Sequence, residues 1–390
     1  MKILVIAPTP FFADRGTHIR ILEEALSLEK RGHQITIATY HIGKDINSDI
    51  DTKIDVRRIR RLLFWYKKLE AGPDWQKIIL DLMLIRKAFY LARTQNPDII
   101  HGHLHEGVLI GWIVKKALFW RKIKLVADFH GSLTKEMVSH SYLSGGMLKR
   151  IFSEMEKFID NLGDAAVTSS EENTREINKL RKNHDVITVL DGANVSHYEN
   201  KLSKKELRNE FELPENKVIV VYTGAMIMNK GIQNFMDAVP LVLKENKDVY
   251  FVVAGFPAEG VNDFVQKNNL AEFVRVISPL DYFQMPKILL ASDIGVDPKD
   301  STTLQASGKI LQYMAAGLPV VCYDRYNNRK YLGEGAQYSE EMSAQGLANA
   351  ILELTRNPQK INFKGELNKR QILQFSWGAS AEKIEEVYEK

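Results

Sequence analysis

A lysine and a glycine, Lys230-Gly231, close the short loop that follows the apolar run VIVVYTG, whose last residue is Gly224. Further on, Ala306, Ser307 and Gly308 open a second helical segment, which carries Lys309 and Gln312 and ends at Ala315-Ala316-Gly317. A loop that passes from the carboxyl end of a strand into a helix aims unpaired N–H groups at one point, and phosphates bind there. Two such helix starts with a lysine between them suit a diphosphate. The ligand this implies is a nucleotide diphosphate, one that carries a sugar.

In the first half of the chain, His130 stands at the end of the strand-like run KLVADFH, where an imidazole can hydrogen-bond a hydroxyl or pass a proton. His101, His103 and His105 alternate, so a strand through all three would put them on one face. Glu106 follows them as a candidate base on the acceptor side, with His103 and His105 as further acceptor-side candidates. Gly16, Thr17, His18 and Arg20 come after the first strand, and Arg20 offers a cation to an anionic donor or acceptor. PTPFFADRG lacks the three spaced glycines of a dinucleotide fold. With no aspartate cluster of the kind that holds magnesium or manganese, no metal and no cofactor are expected. Cys322, the single cysteine, lies in the apolar run PVVCY and reads as a buried thiol.

Strand-like and helix-like runs alternate twice along the chain, which implies parallel sheets covered on both faces. The first series runs from KILVIAP to VITVLDG and includes a helix over 78–92. The polar stretch from Asn194 to Asn216 reads as an interdomain connection. The second series runs from VIVVYTG to LPVVCYD. An α/β protein of two Rossmann-like domains facing each other across a cleft follows, with domains over 1–196 and 197–374.

The Lys230-Gly231 segment and ASGKILQYMAAGLPVV resemble the C-terminal half of the family-4 retaining glycosyltransferases, which have the GT-B fold. The resemblance implies donor binding by the C-terminal domain, the acceptor on the N-terminal one, and transfer with retention at a metal-free site. Residues 375–390, from FSW onward, match the family's last helix, which returns to the N-terminal domain. By resemblance Lys230 binds the donor diphosphate, Gly224 and Gly16 match family glycines, and His130 faces the donor sugar. Ala225 replaces an arginine of the family pattern, with Lys309 or Arg20 available to supply its charge. Gln312 and Leu304 stand where the family usually has glutamates; a glutamine retains a carbonyl for one ribose hydroxyl. The reading is a hexosyl or N-acetylhexosaminyl transferase, with a catalytically weak nucleotide-sugar-binding subunit or scaffold as the alternative.

The net charge of +4 conceals an asymmetry, because residues 1–195 carry 30 Lys+Arg against 24 Asp+Glu. The excess gathers in 57–93, at Arg57, Arg58, Arg60, Arg61, Lys67, Lys68, Lys77, Arg86, Lys87 and Arg93. Leu62, Leu63, Phe64, Trp65, Tyr66 and Trp75 lie among them. This mixture suits the headgroups of an anionic membrane, and it also suits a solvated helix whose apolar residues pack inward. A peripheral position on the inner membrane face and a lipid-linked or other glycan acceptor follow from the first of these. No motif accompanies the charge that would indicate nucleic acid. MKILVIAPTP is too short and strand-like for a signal peptide, and the longest apolar stretch cannot span a bilayer, so a cytoplasmic protein is expected.

Overall fold

The computed structural model describes residues 1–13, 16–46, 50–66, 74–134, 137, 146–181, 185–227, 230–299 and 308–390. Ser307, Leu304, Arg15, Lys67, Lys68 and Glu70 lie outside the described residues. The chain forms two compact units, Met1–Asp191 with Trp377–Lys390, and Gly192–Ser376. The breaks at 191/192 and 376/377 differ from the expected ones at 196/197 and 374/375.

Among the described residues, the first unit holds β1 (Lys2–Ala7), β2 (Gln34–Thr39), β3 (Asp55–Arg58), β4 (Ile99–His103), β5 (Lys124–Phe129), β6 (Ala165–Thr168) and β7 (Val186–Thr188). They pair in parallel in the order β3-β2-β1-β4-β5-β6-β7. Helices α1 (Gly16–Lys30), α2 (Trp75–Gln95), α3 (Leu104–Ala117), α4 (Gly146–Asp160) and α5 (Glu171–Leu180) connect the strands. Runs such as ILVIA are apolar throughout because the central strands are covered on both faces. Helix α2 extends past both ends of the expected 78–92. The Asp74 carboxylate accepts from Gln76 N at its start, and Asn96 takes the left-handed conformation at its end.

The second unit repeats the plan with β8 (Val218–Ala225), β9 (Val249–Phe256), β10 (Val274–Ile277), β11 (Ile294–Asp297), β12 (Val320–Tyr323) and β13 (Ala336–Ser339). Their order is β10-β9-β8-β11-β12-β13, again parallel. Its helices are α6 (Lys204–Glu210), α7 (Ile232–Glu245), α8 (Glu259–Lys267), α9 (Met285–Ala291), α10 (Gly308–Ala315), α11 (Tyr326–Leu332), α12 (Ala344–Thr355) and α13 (Pro358–Gln371). The supposed connection at 194–216 is folded, which corrects the sequence reading. Ser203 and Glu206 form a capping box that starts α6, and Arg208 binds Asp293 at 2.6 Å. The sheet orders reverse between β1 and β4 in one unit and between β8 and β11 in the other. At such switch points loops part on opposite faces and leave a crevice at the strands' carboxyl ends.

The last helix, α14 (Trp377–Glu389), belongs to the first unit. Trp377, Ala381, Ile384, Val387 and Tyr388 are its buried face. Lys124 Nζ donates to the carbonyls of Val387 and Tyr388, where the helix end is negative, and Arg31 and His33 bind Glu385.

Candidate functional site

At the second unit's switch point, β8 runs into Gly224 at φ +117, a conformation that a side chain disfavours. Gly231, at φ +76, caps α7 without a side-chain bond and lies so close to β11 that a Cβ would come 1.9 Å from Pro298 O. The first-turn N–H groups of α7 are therefore without a capping side chain beside the end of β11. Lys230 directly precedes them. Lys309, from the first turn of α10, reaches the same place. Its Nζ is 3.7 Å from the Tyr222 ring centroid and 3.9 Å from Asp297 Oδ1.

The Lys309 side chain is only 12% exposed, and among the described residues its ammonium has no hydrogen-bond partner. Burial, reinforced by the charges of Lys230 and Lys299, pushes its pKa down to about 8, against the pull of Asp297. The charges of Lys230 and Lys299 are thus felt by Lys309 at this switch point. The Lys309 stem lies against Gly224, beside the Ala225 position, since a Cβ on Gly224 would sit 3.6 Å from Lys309 Cε. Tyr313 holds α10 to β8 by accepting from Thr223 N at 2.9 Å. Gln312 differs from expectation, because its Oε1 already accepts from Tyr198 at 2.6 Å. Its amide N–H groups are then the part left for a hydroxyl.

The first unit's switch point holds a buried polar network centred on Asp128, at the end of β5. Arg20 Nη2 is 3.2 Å from Asp128 Oδ2 and 2.8 Å from Glu24 Oε1, and Nη1 is 2.7 Å from Asp191 Oδ1. Nη1 also donates to Val189 O. Arg20 is 3% exposed, so the expectation that it meets an anionic donor or acceptor is corrected: its charge is spent inside the unit. Burial, the largest influence on Asp128, acts against its charge, but Arg20, His130 and the hydrogen bonds from His101 and His103 together outweigh it and hold the carboxylate well below its ordinary range. Burial instead holds Glu24 well above its own. His18 likewise turns inward, its Nδ1 3.0 Å from Ala13 O. Gly16 begins α1, and a Cβ there would meet no described atom within 4 Å, so packing alone does not demand glycine.

His130 adjoins this network, with Nε2 3.0 Å from His103 Nδ1. Burial keeps the His130 pKa well below the usual imidazole range and pushes His103 to about 4, with Asp128 opposing and Arg20 assisting in both cases. Both rings are neutral at pH 7, and His130 Nδ1 has no hydrogen-bond partner among the described residues. His101 stacks on His103 at 4.5 Å and is bonded through Nδ1 to Tyr388 Oη of α14 at 2.6 Å. Sequence reasoning missed Asp128, Glu24, Asp191 and Tyr388. The Arg20–Glu24 spacing of four on one helix was the one available signal.

His105 does not share the face of His101 and His103, contrary to the alternation. Strand β4 ends at His103, and Leu104, at φ +61, turns the chain into α3. Gly102 and Gly107 let that turn close, since a Cβ on Gly102 would lie 2.7 Å from Gly107 O. His105 therefore points at α4, 3.2 Å from Asp160 Oδ1 and 3.7 Å from Glu156 Oε1. Glu106 is half-buried, and its charge joins burial in raising Asp81, which accepts from Tyr40 Oη at 2.6 Å, to about 7.

The basic region divides in two. Arg58 donates to the carbonyls of Phe11, Ile42 and Lys44, and Leu63 and Tyr66 are buried. Leu62, Phe64, Trp65 and Trp75 are exposed, and so are Ile78 and Leu82, one and two turns along α2 from Trp75. Arg86 and Arg93 continue that stripe. Helix α4 shows a second exposed stripe of Met147, Ile151, Met155 and Phe158. Cys322 is buried in β12. No helix among the described residues is long and apolar enough to cross a membrane.

Two doubly wound parallel domains with a return helix constitute the GT-B fold. Residues 15–194 match the family described as Glycosyltransferase Family 4, and residues 217–357 match that described as Glycosyl transferases group 1. The chain belongs to the GT-B glycosyltransferases of the family-4 type. It is 22% identical over 404 residues to the D-inositol 3-phosphate glycosyltransferase of Corynebacterium diphtheriae, covering 96% of this chain and 89% of that one. Spore coat protein SA of Bacillus subtilis is 27% identical over 227 residues, 52% of this chain and 58% of its own length. Among solved structures, Anabaena HepE in complex with UDP and glucose superposes with a TM-score of 0.74 at 16% identity, over 100% of both chains.

Proposed function

We propose that this glycosyltransferase moves a sugar from a nucleotide diphosphate to an acceptor hydroxyl with retention of configuration, at a phosphate site served by lysines in place of a divalent cation. The observation that carries the reading is the enclosed Lys309 ammonium, without a hydrogen-bond partner among the described residues, beside Gly224 at the switch point. A diphosphate there would supply the acceptor this ammonium lacks, with Lys230 and the α7 N-terminus sharing the charge. At about 4 Å and an effective dielectric near 20, one such contact is worth roughly 4 kcal/mol before desolvation is subtracted. The same contact strengthens as the bond to the sugar breaks and charge accumulates on the leaving phosphate. In the retaining step the acceptor oxygen bonds to the anomeric carbon on the face the diphosphate leaves. The hydroxyl proton passes to the departing phosphate oxygen. Neutral His130 presents Nδ1 to a sugar hydroxyl and orients it.

The acceptor in this reading is amphipathic, a lipid-linked sugar met at the inner face of an anionic membrane. The exposed Phe64, Trp65, Trp75, Ile78 and Leu82 beside Arg60, Arg61 and Arg86 support it, each basic group contributing about 1 kcal/mol near such a surface. Calorimetric titration of nucleotide sugars, with and without added Mg2+ or Mn2+, tests the donor site. One nucleotide sugar should bind at micromolar concentration regardless of cation, and Lys230→Ala should abolish it. Binding that requires a cation would refute the lysine site. The engaged Gln312 Oε1 favours one other reading, a donor-binding subunit without turnover. Release of free sugar from the bound donor, with its anomeric configuration retained by NMR, would exclude that reading.

A further inference from the structure

We propose that His105, Glu156 and Asp160 hold a divalent transition cation, Zn2+ foremost, at a site within the first unit. Glu156 and Asp160 are four apart on α4 and so share its inner face, opposite His105 in the first turn of α3. One atom from each of the three residues lies within 4.8 Å of the others. His105 Nε2 is 3.2 Å from Asp160 Oδ1 and 3.7 Å from Glu156 Oε1. Tetrahedral zinc with bonds near 2.0–2.1 Å sets its ligand atoms about 3.3 Å apart, so little rearrangement is needed.

The second observation is the state of the carboxylates. Among the described residues Asp160 Oδ1 is enclosed with no hydrogen-bond donor aligned on it, in a residue 5% exposed, and its ionic neighbour is His105 Nε2 at 3.2 Å. Glu156 is also buried, and its other oxygen accepts from Thr134 N at 3.0 Å, which orients Oε1 toward His105 as outer partners of metal ligands do. Among the described residues no lysine or arginine pairs with either carboxylate. Lys157 turns to Glu154, and Arg181 binds Asp185 and the carbonyls of Asp160, Leu162 and Gly163. The buried group formed by Glu24, His101, His103 and Asp128 contrasts with this, because Arg20 already supplies its cation.

A cavity of about 170 Å³ opens on the three residues and is lined also by Ser132, Ser153 and Asn173. It gives room for water as a fourth ligand. One imidazole with two carboxylates suits zinc better than the all-oxygen preference of Mg2+ or Ca2+. The cation would pin α3 to α4.

The test is Zn2+ titration of the chelator-treated full chain by calorimetry, with metal content and melting temperature measured in parallel. One equivalent should bind at micromolar concentration or tighter and raise the melting temperature by several degrees. Asp160→Asn and His105→Gln should each weaken binding about a hundredfold, and the exposed Glu154→Gln should not. Co2+ in place of zinc should show ligand-field bands in wild type that Asp160→Asn loses. Circular dichroism identifies any variant that fails to fold, and Asp160→Asn, nearly isosteric, guards against failure at His105. Absence of binding by wild type overturns the site. So does an unchanged affinity in a folded Asp160→Asn, which would place the metal elsewhere. None of these readouts depends on donor binding or turnover.

Discussion

Lys309 should make donor binding a proton-coupled event, and replacing it should stabilise the empty protein while disabling it. The ammonium lies over Tyr222 near Asp297, facing the charges of Lys230 and Lys299, with a pKa of about 8 against an ordinary 10.5. For a lysine, a depressed folded value means the charged form is penalised in the fold. The penalty is present in full below pH 8 and disappears as pH rises through 8 toward 10.5. At about 1.4 kcal/mol per pKa unit it amounts to roughly 3 kcal/mol. Lys309→Met should therefore raise the melting temperature by several degrees at pH 7, with the advantage shrinking at pH 10. A bound diphosphate reverses the penalty by holding the proton on. Wild-type affinity for a nucleoside diphosphate should then fall about tenfold from pH 7 to pH 9, with about half a proton taken up per binding event at pH 8. Calorimetry in buffers of differing ionisation enthalpy reads that uptake directly. Lys309→Met should bind at least about thirtyfold more weakly at pH 7 and show no proton uptake, and Lys309→Arg should bind without the pH dependence. Flat wild-type affinity between pH 7 and 9, or unimpaired binding by Lys309→Met, would refute the reasoning.

Three further outcomes follow from the first unit. Arg20→Met should cost about 3–5 kcal/mol in denaturant unfolding, because it leaves Asp128 buried and uncompensated; the paired variant Arg20→Met with Asp128→Asn should recover part of the loss. Asp81, raised to about 7 mainly by burial, favours the protonated form in the fold, so its contribution is present at low pH and is lost as pH rises from 3.8 through 7. Asp81→Asn should thus be near neutral at pH 4 and stabilising at pH 8, measured by thermal unfolding. In flotation assays, Trp65→Ala with Trp75→Ala should reduce binding to vesicles rich in phosphatidylglycerol, and loss of the anionic lipid should do the same; equal recovery of wild type and variant would remove the membrane from the acceptor reading.

The architecture was readable because its signals are local and repeated. Apolar runs of strand length between amphipathic helices can bury their faces only as parallel layers, and the doubled series specified two domains. Gly224 and Gly231 were readable for a related reason, since a strand-to-helix turn at a switch point needs backbone conformations and contacts that other residues resist. Single residues set by distant partners were not readable. The alternation at His101, His103 and His105 predicted one face, but the strand ends two residues before His105 and the left-handed turn at Leu104 redirects it. Arg20 looked like a surface cation because nothing nearby in sequence announces Asp128 or Asp191, more than a hundred positions away. The polar 194–216 stretch looked like a linker because its few buried groups, Leu207 and Arg208 among them, are satisfied by β11 and its flanks.

Lys309 and Arg20 show what would distinguish a binding cation, the role proposed for Lys309, from a structural one of similar burial. Arg20 has three carboxylates within 3.2 Å, one of them at a loop, and a carbonyl, so an incoming anion would have to displace existing partners. Lys309 has an aromatic face and one carboxylate at 3.9 Å, with two like charges near enough to lower its pKa. Leaving such a group under-compensated costs stability in the empty protein. That cost persists reasonably only where a ligand removes it, and two phosphates arriving at a helix start would do so. The same criterion separates the two buried histidine–carboxylate groups. The one around Asp128 contains its own cation, and the one around Asp160 leaves two carboxylates facing a single imidazole. In both units the site is marked less by which residues are present than by which charges the fold has left for something else to satisfy.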